Sequence, residues 1–411
     1  MRDASSEVRS LRSNELRSRL LVSLLGVTLA LTACSSTDPG EPSAEQEADK
    51  PRLELVPKDA AKDVSPIEPV EVRASRGTID EVSLTNPAGK EVSGSLSKDK
   101  ASWASDEPLG YDRQYTLEAS IRGKDGKTVT EKSSFTTVSP AGTVYPSFLP
   151  PPKITTVGVG QPIAVIFDSP PPDQAAAERA LKVTATPETE GSWYWWDDRT
   201  VHWRPKDYWK PGTKVTVDAK VYGVHLGDGM YGDTDRTLNL TIGPAKIATI
   251  DDKTHRMVVT VNGKKVKTFP VSMGRAGSTT GKDGKKISFI TPSGTYVAQE
   301  KYKVKRMNSD SYGLPSDASL GYDEKIPLAV RVSNSGIFVH AAPWSVADQG
   351  RRNVSHGCVN LSPEAGRWFY DNFSYGDIVT IHNTATKLAP TDGFGDWNIP
   401  WEKWQEGSAL R

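Results

Sequence analysis

A tryptophan-bearing pattern occurs twice in this sequence, 100 residues apart, and it constrains the fold more than any other feature. Trp103 and Trp203 each begin the pattern, and an alternating strand-like run follows each, ending at Ala119 and Ala219. Alternation with a period of two places every second side chain on one buried face of a strand. A repeat of about 100 residues has the length of one immunoglobulin-like sandwich. The repeat therefore predicts two such sandwiches in tandem.

The first 34 residues have the features of an export signal. Basic residues come first, and the apolar run at residues 20–31 is too short to span a membrane. Cys34 ends Leu31-Thr32-Ala33-Cys34, which resembles a bacterial lipobox, in which the cysteine becomes the lipid-bearing N-terminus. The alternative is a plain secretory signal with a cysteine there by chance. On either interpretation the mature chain is exported.

After the sandwiches the sequence pattern changes. Asn262-Gly263 lies between two strand-like runs and predicts a hairpin turn. Ser362-Pro363-Glu364 has a capping residue, a proline and an acid in the order typical of a helix start. The fold is therefore predicted to be mostly β. Its predicted parts are a signal peptide with lipobox (1–34), a disordered tether (35–49), two immunoglobulin-like domains (50–146 and 147–246), a mostly-β domain with one helix (247–383) and a Trp-bearing tail docking on that domain (384–411).

The charge balance argues against a nucleic acid partner. The chain has 51 basic and 51 acidic residues, whereas phosphate binding needs a clustered basic surface. No zinc-finger or HExxH pattern occurs in the sequence. We therefore predict no metal and no cofactor.

Cysteine usage points to a reactive thiol. The chain has 2 cysteines, and if Cys34 carries lipid, Cys358 has no partner for a disulfide. A lone thiol in an exported protein suggests nucleophilic chemistry. The alternative is a buried cysteine that serves as a small apolar residue.

Two histidines could act as base for this thiol and form a thiolate–imidazolium pair with it. His356 lies two residues before Cys358, and His340 ends a predicted strand from which it could face the thiol across a sheet. We predict His340 as the base and His356 as a residue that shapes the loop. Gly357 permits an unusual backbone conformation, so the N–H groups of Gly357 and Cys358 are predicted to stabilise an oxyanion. Asn360 could bond to the loop or to the substrate.

The residues around the thiol carry a family resemblance. His340, 14 intervening residues and then Ser355-His356-Gly357-Cys358-Val359-Asn360 resemble the signature of L,D-transpeptidases, the YkuD-type domain. Thr291-Pro292-Ser293-Gly294 agrees with the same family, and the order of domains resembles its actinobacterial lipoprotein members. Ala341 departs from the serine that members often have there. In the family reading that position orients the imidazole through its carbonyl, which alanine also supplies.

The resemblance implies a reaction and its residues. Cys358 would attack the third residue of a peptidoglycan tetrapeptide stem, expel D-alanine and pass the acyl group to the diaminopimelate amine of a second stem, which gives a 3→3 cross-link. His340 would be base and then acid. Carbapenems are the implied covalent inhibitors. The implied substrate-binding residues, of which the first three belong to a lid between residues 301 and 327, are Met307, Tyr312, Tyr322, Trp344, Ser355 and Asn360.

Three other functions compete with this one. An L,D-carboxypeptidase would resolve the same thioester with water. A non-catalytic lipoprotein would bind the cell wall through its β-domains. A thiol redox protein would normally need a resolving cysteine, which the sequence lacks. On the favoured interpretation the protein is lipid-anchored to the cell membrane, with its active site in the wall or periplasmic space.

Overall fold

The computed structural model describes residues 50–411. The predicted signal peptide, the lipidation site Cys34 and the predicted tether lie outside the described residues. Within the described part, no helix is long and apolar enough to cross a membrane.

Residues 52–136 form a sandwich of two sheets. Its strands are β1 (Arg52–Val56), β2 (Glu71–Ser75), β3 (Gly77–Thr85), β4 (Gly94–Leu96), β5 (Ser102–Ser105), β6 (Gln114–Gly123) and β7 (Thr128–Thr136). One sheet has the order β1-β2-β5-β4 and the other β3-β6-β7. Leu117, Ala119 and Ile121 of β6 alternate onto the buried face, as the period of two predicts.

A second sandwich follows, with sheets β10-β17-β15-β12 and β13-β14-β11-β9. Helix α1 (Gln174–Arg179) lies within it and is capped by the Asp173 side chain, which accepts from the Ala176 N–H at 2.9 Å. Its strands, with the linking β8, are β8 (Gly142–Val144), β9 (Pro146–Leu149), β10 (Thr156–Val157), β11 (Ile163–Phe167), β12 (Leu181–Thr186), β13 (Gly191–Trp195), β14 (Thr200–Pro205), β15 (Lys214–Ala219), β16 (Met230–Gly232) and β17 (Arg236–Ile242).

The repeated tryptophans occupy equivalent places in the two sandwiches. Trp103 packs flat against Gly94 on the neighbouring strand, and Trp203 packs in the same way against Gly191. A Cβ at either glycine would lie 2.0 Å from the indole, so no larger residue fits without moving the ring. The spacing from glycine to tryptophan differs between the copies, which is why the ungapped sequence repeat does not reveal the glycines.

Hydrogen bonds join the two sandwiches. The Tyr111 hydroxyl donates to the Gly232 carbonyl and accepts from the Gly223 N–H, each at 2.7 Å. Burial raises the pKa of Tyr111 to about 12, so this hydroxyl stays protonated. Strand β8 also leaves the first sandwich to pair in parallel with β16 of the second.

The third domain contains two larger sheets, with orders β20-β19-β18-β28-β23 and β24-β25-β26-β27, and a short hairpin β21-β22. The predicted turn is present, because Asn262 and Gly263 both have positive φ between β19 and β20. The predicted helix is α2 (Pro363–Asn372), capped by Ser362. The strands are β18 (Lys246–Asp251), β19 (Arg256–Val261), β20 (Lys264–Pro270), β21 (Ser278–Thr280), β22 (Lys286–Ser288), β23 (Gly294–Val297), β24 (Lys301–Asn308), β25 (Asp323–Arg331), β26 (Phe338–Ala341), β27 (Val359–Leu361) and β28 (Ile378–His382).

The third domain shares its core with the second sandwich. Val297 and Ile378 of the third domain belong to the hydrophobic cluster of that sandwich. The Gly158 N–H donates to the Tyr375 carbonyl at 2.7 Å across the same boundary. Continuous apolar packing and backbone hydrogen bonds therefore hold the two as a single rigid support.

The C-terminal tail contacts both the third domain and the second sandwich. Asn398 exchanges two hydrogen bonds of 2.8 Å with the backbone of Thr295 in the third domain. Beyond it, helix α3 (Trp401–Gln405) packs on the second sandwich, where Trp404 is fully buried, stacks on Tyr194 and donates to the Ser192 carbonyl.

A buried arginine explains why the tail turns back to the sandwich. Arg204 is 3% exposed, and its guanidinium lies 4.7–5.3 Å from the ring centroids of Trp397, Trp401 and Trp404. It also donates to the Ile399 carbonyl at 2.8 Å. A buried cation needs such partners, and the three indoles with a carbonyl provide them.

Trp404→Ala should destabilise the protein by about 3–5 kcal/mol, because a fully buried indole leaves a large cavity. The measurement is the shift in the unfolding midpoint in urea. Leu410→Ala in the same tail is the control, since Leu410 is 47% exposed and its loss should cost less than about 0.5 kcal/mol. A Trp404→Ala midpoint equal to that of the control would show that the tail is not docked in solution.

Candidate active site

Two neighbouring parallel strands bring the predicted nucleophile and base together. β26 and β27 pair with His340 level with Asn360 and Val339 level with Val359. Cys358 directly precedes β27, so it lies beside Phe338 at the start of β26. Residues that are 18 positions apart in the chain therefore lie on, or next to, neighbouring strands of one sheet.

Cys358 opens onto a cavity of about 800 Å³. Six of the predicted site residues line it: Met307, Tyr312, Tyr322, His356, Gly357 and Cys358. The other residues that line it are Ile287, Ser288, Ile290, Pro292, Lys305, Arg306, Asn308, Ser311, Arg331, Asn334, Ser335, Gly336, Ile337, Phe338 and Thr386.

Three predicted substrate-binding residues do not line this cavity, and the structure gives them other contacts. The Ser355 hydroxyl donates to the Cys358 carbonyl at 2.7 Å and accepts from the Gly357 N–H at 3.1 Å, so it closes the loop. Asn360 is buried and donates to the Ser345 hydroxyl at 3.0 Å. Trp344 is exposed and stacks on the His340 ring. Ser355 and Asn360 are therefore engaged within the fold, whereas Trp344 contacts the predicted base from the surface.

His340 is held in the tautomer that a base requires. Its Nδ1 lies 2.9 Å from the Ala341 carbonyl oxygen. A carbonyl can only accept, so Nδ1 carries the proton and Nε2 is left with a free lone pair. Burial lowers the pKa of His340 to about 4, against a smaller opposite effect of the Ala341 carbonyl. The imidazole is therefore neutral at neutral pH, with Nε2 free to accept a proton, and alanine supplies the orienting carbonyl.

His356 is occupied by other partners. The Arg275 guanidinium donates to His356 Nε2 at 3.0 Å, and the ring packs against Phe289 and Tyr322. Burial and then the Arg275 charge lower the pKa of His356, and the Leu320 carbonyl only partly offsets them. Because Arg275 uses its Nε2 lone pair, His356 shapes the loop and does not take the thiol proton.

The thiol is protonated at rest. Cys358 donates a weak hydrogen bond to the Gly336 carbonyl, with the sulfur 3.7 Å from the oxygen. Burial raises the pKa of the thiol to about 11, while the Phe338 backbone and the Arg331 charge act weakly in the opposite direction. Together with the lowered pKa of His340, this favours two neutral groups at rest over a thiolate–imidazolium pair.

Gly357 has the special backbone that the sequence predicted, with φ +135. The Thr291 hydroxyl donates to its carbonyl at 2.8 Å and accepts from the Gly274 N–H at 2.8 Å. Of the two N–H groups predicted to stabilise an oxyanion, that of Gly357 donates to the Ser355 hydroxyl within the loop.

Sequence reasoning missed three residues of this site. Thr291 lies in the segment quoted for the family resemblance, but nothing in the sequence placed its hydroxyl under the Cys358 loop. Arg275 and Arg331 carried no signal, because only the tertiary structure brings Arg275 to His356 and Arg331 to the cavity. No cluster of side chains able to hold a metal ion occurs between residues 50 and 411.

Comparisons with known proteins agree with this geometry. A family model described as "L,D-transpeptidase catalytic domain" matches residues 245–381. A second, described as "Bacterial Ig domain", matches residues 61–225 and spans parts of both sandwiches. The fold and the site thus define an acyl-transferring enzyme carried on immunoglobulin-like domains.

Relatives match over most of the chain. L,D-transpeptidase 2 of Mycobacterium tuberculosis is 41% identical over 397 residues, which cover 94% of each chain. L,D-transpeptidase 5 of the same species is 40% identical over 88% of this chain and 77% of its own. A solved L,D-transpeptidase from Mycobacterium smegmatis is 31% identical, with TM-score 0.46, over 58% of this chain and 99% of its own. The chain belongs to the L,D-transpeptidase family, whose substrate is peptidoglycan.

The neutral resting state predicts how alkylation of Cys358 depends on pH. The rate with iodoacetamide should rise about tenfold per pH unit from about pH 6 to pH 10, because thiolate is a minor species below its pKa of about 11. The rate is measured by intact mass, with Cys358→Ala as the background. A plateau between about pH 6 and pH 8 would indicate a thiolate–imidazolium pair and contradict the neutral state.

Proposed function

We propose that this protein is a peptidoglycan L,D-transpeptidase that forms 3→3 cross-links between diaminopimelate residues through a Cys358 thioester. The observation that carries the proposal is the site at β26 and β27: a thiol at the wall of a cavity of about 800 Å³, and on the neighbouring strand a buried imidazole whose Nδ1 is fixed by the Ala341 carbonyl. This arrangement provides a nucleophile, a base and room for a peptide.

The first half-reaction forms the acyl-enzyme. Cys358 Sγ attacks the carbonyl carbon of the third residue of a tetrapeptide stem as its proton passes to His340 Nε2. The Cys358 N–H stabilises the oxyanion. The C–N bond then breaks, and His340 gives the proton to the amine of the departing D-alanine.

The second half-reaction forms the cross-link. The side-chain amine of diaminopimelate on another stem attacks the thioester carbonyl and gives a proton to His340. The C–S bond breaks, and the sulfur recovers that proton as the thiol. Both groups begin neutral and buried. Charge therefore separates only while the carbonyl is being attacked, when hydrogen-bond donors can stabilise the oxyanion that forms.

The segment over the cavity fits the lid that the family resemblance implies. Met307 lies one residue before the end of β24, and a 3-10 turn at Ser309–Tyr312 follows the strand. The rings of Tyr312 and Tyr322 lie 6.2 Å apart, and Tyr322 also packs on His356. This segment therefore joins the Cys358 loop to the cavity mouth and would cover a bound stem.

Product analysis tests the proposal and its main rival. The purified protein is incubated with a disaccharide-tetrapeptide, and the products are separated by mass. A 3→3 dimer with release of D-alanine is the expected result. Tripeptide without dimer would assign the thioester to hydrolysis, as in an L,D-carboxypeptidase. Neither product, with no acyl adduct on Cys358, would favour a wall-binding lipoprotein.

Variants assign the two roles at the site. Cys358→Ala should abolish dimer formation, and His340→Ala should lower it by about 10²–10⁴-fold, because a positioned base contributes that much. His356→Asn should cost less, since its ring acts on the loop through Arg275. The measurement is the initial rate of dimer formation. A greater loss in His356→Asn than in His340→Ala would reverse the assignment.

Carbapenem acylation gives an independent readout of the same thiol. Intact-mass analysis should show one adduct on the unchanged enzyme and none on Cys358→Ala. An adduct that survives the Cys358→Ala substitution would place the reactive group elsewhere.

We also propose that the protein is exported and held at the cell membrane by lipid on Cys34. The basis is the sequence alone, since these residues lie outside the described part. Cys34→Ser should release the protein from the membrane fraction or leave its signal uncleaved, because a lipoprotein loses its anchor with that residue. Fractionation and intact mass are the measurements. Unchanged protein found at full mature length in the culture fluid would contradict the anchor.

A further inference from the structure

The wall of the active-site cavity is positively charged. Lys305, Arg306 and Arg331 line it, and its lining residues in the described part of the chain include no carboxylate. Arg306 is paired with Asp323, and Lys305 lies 4.4 Å from the Tyr302 ring centroid. A cavity of this charge attracts an anionic group on its ligand.

Arg331 is the cation whose strand lies nearest the thiol. Arg331 on β25 pairs with Phe338 on β26, and Phe338 lies beside Cys358, the residue directly before β27. Residues paired across neighbouring strands point to the same face of a sheet, and all three of these line the cavity. Lys305 and Arg306 lie on β24, one strand further away.

The guanidinium of Arg331 is held in place. It lies over the Phe338 ring, 4.7 Å from the centroid, which brings it from its own strand towards Cys358. Its Nη1 donates to the Ser333 carbonyl at 3.0 Å, and its Nε lies 3.5 Å from the Glu300 carboxylate. These contacts fix the plane of the group and leave Nη2 for a ligand in the cavity.

We propose that Arg331 binds the terminal carboxylate of the donor stem, on the residue that is expelled. This inference rests on the proposed function, in which Cys358 attacks the carbonyl one residue before the end of the stem. One residue spans at most about 3.6 Å, so that carboxylate must lie close to the thiol. A stacked, pre-oriented guanidinium is the side chain best suited to bind it with a charge-assisted hydrogen bond.

This contact would set the length of stem that the enzyme accepts. A stem that ends one residue beyond the attacked carbonyl places its carboxylate at Arg331. The terminal carboxylate of a longer stem would lie beyond Arg331 and could not bind there. The carboxylate departs with D-alanine, so the contact acts on the donor and not on the acyl-enzyme.

Two donors that differ only in this charge test the inference. One is a tetrapeptide stem ending in D-alanine, and the other is the same stem ending in D-alaninamide. The unchanged full-length enzyme should prefer the carboxylate by about ten- to hundredfold in kcat/KM, the range of a hydrogen bond to a charged group. Arg331→Gln should lose most of this preference through a higher KM for the carboxylate donor, with a much smaller loss on the alaninamide donor. Arg331→Lys should keep part of it.

The control is Arg367→Gln, because Arg367 lies on α2, is exposed and pairs with Asp371 away from the cavity. It should keep the full preference. Equal use of both donors by the unchanged enzyme, a preference retained in Arg331→Gln, or an equal loss on both donors in that variant would each overturn the inference. So would a preference that disappears in Lys305→Gln or Arg306→Gln instead. Turnover of neither donor by the unchanged enzyme would overturn the proposed function itself.

Discussion

The parallel pairing of β26 with β27 is the contact on which the site depends. It fixes His340 level with Asn360, so His340 lies on the strand next to the Cys358 segment and two residues further along than the thiol. The Ala341 carbonyl then selects the tautomer with Nε2 free. Burial of both groups has a chemical consequence, because it keeps the thiol protonated and the imidazole neutral until a substrate is present. A protonated thiol is a poor target for oxidation, which suits a protein proposed to work outside the cell.

The loop that carries Cys358 is fixed by polar side chains that never reach the cavity. The Ser355 hydroxyl donates to the Cys358 carbonyl and accepts from the Gly357 N–H. The Thr291 hydroxyl links the Gly357 carbonyl to the Gly274 N–H. Arg275 donates a hydrogen bond to the Nε2 lone pair of His356. These contacts hold a glycine with φ +135 directly before the proposed nucleophile.

The second sandwich and the tail belong to the support of this site. Ile378 lies on the strand next to β18 and packs into the core of that sandwich, while Asn398 of the tail bonds to Thr295 on β23. The Arg204 guanidinium of the second sandwich packs against three indoles of the tail and so holds the end of the tail on that sandwich. The first sandwich is joined mainly through hydrogen bonds such as those of Tyr111, so it is a neighbour of this unit and shares no core cluster with it.

The sequence by itself determined the mostly-β class, the two tandem sandwiches, the hairpin at Asn262-Gly263 and the helix after Ser362, because each depends on local periodicity, turn chemistry or capping. It also singled out the Cys358 segment and His340, because these residue types carry their chemistry with them. Only the tertiary structure decided which residues share the cavity. It left Ser355, Asn360 and Trp344 out of the cavity lining, brought Arg331 into that lining and Arg275 and Thr291 to the loop that carries Cys358, and placed the end of the tail against the second sandwich. Burial and strand register are properties of the assembled chain, and no local pattern encodes them.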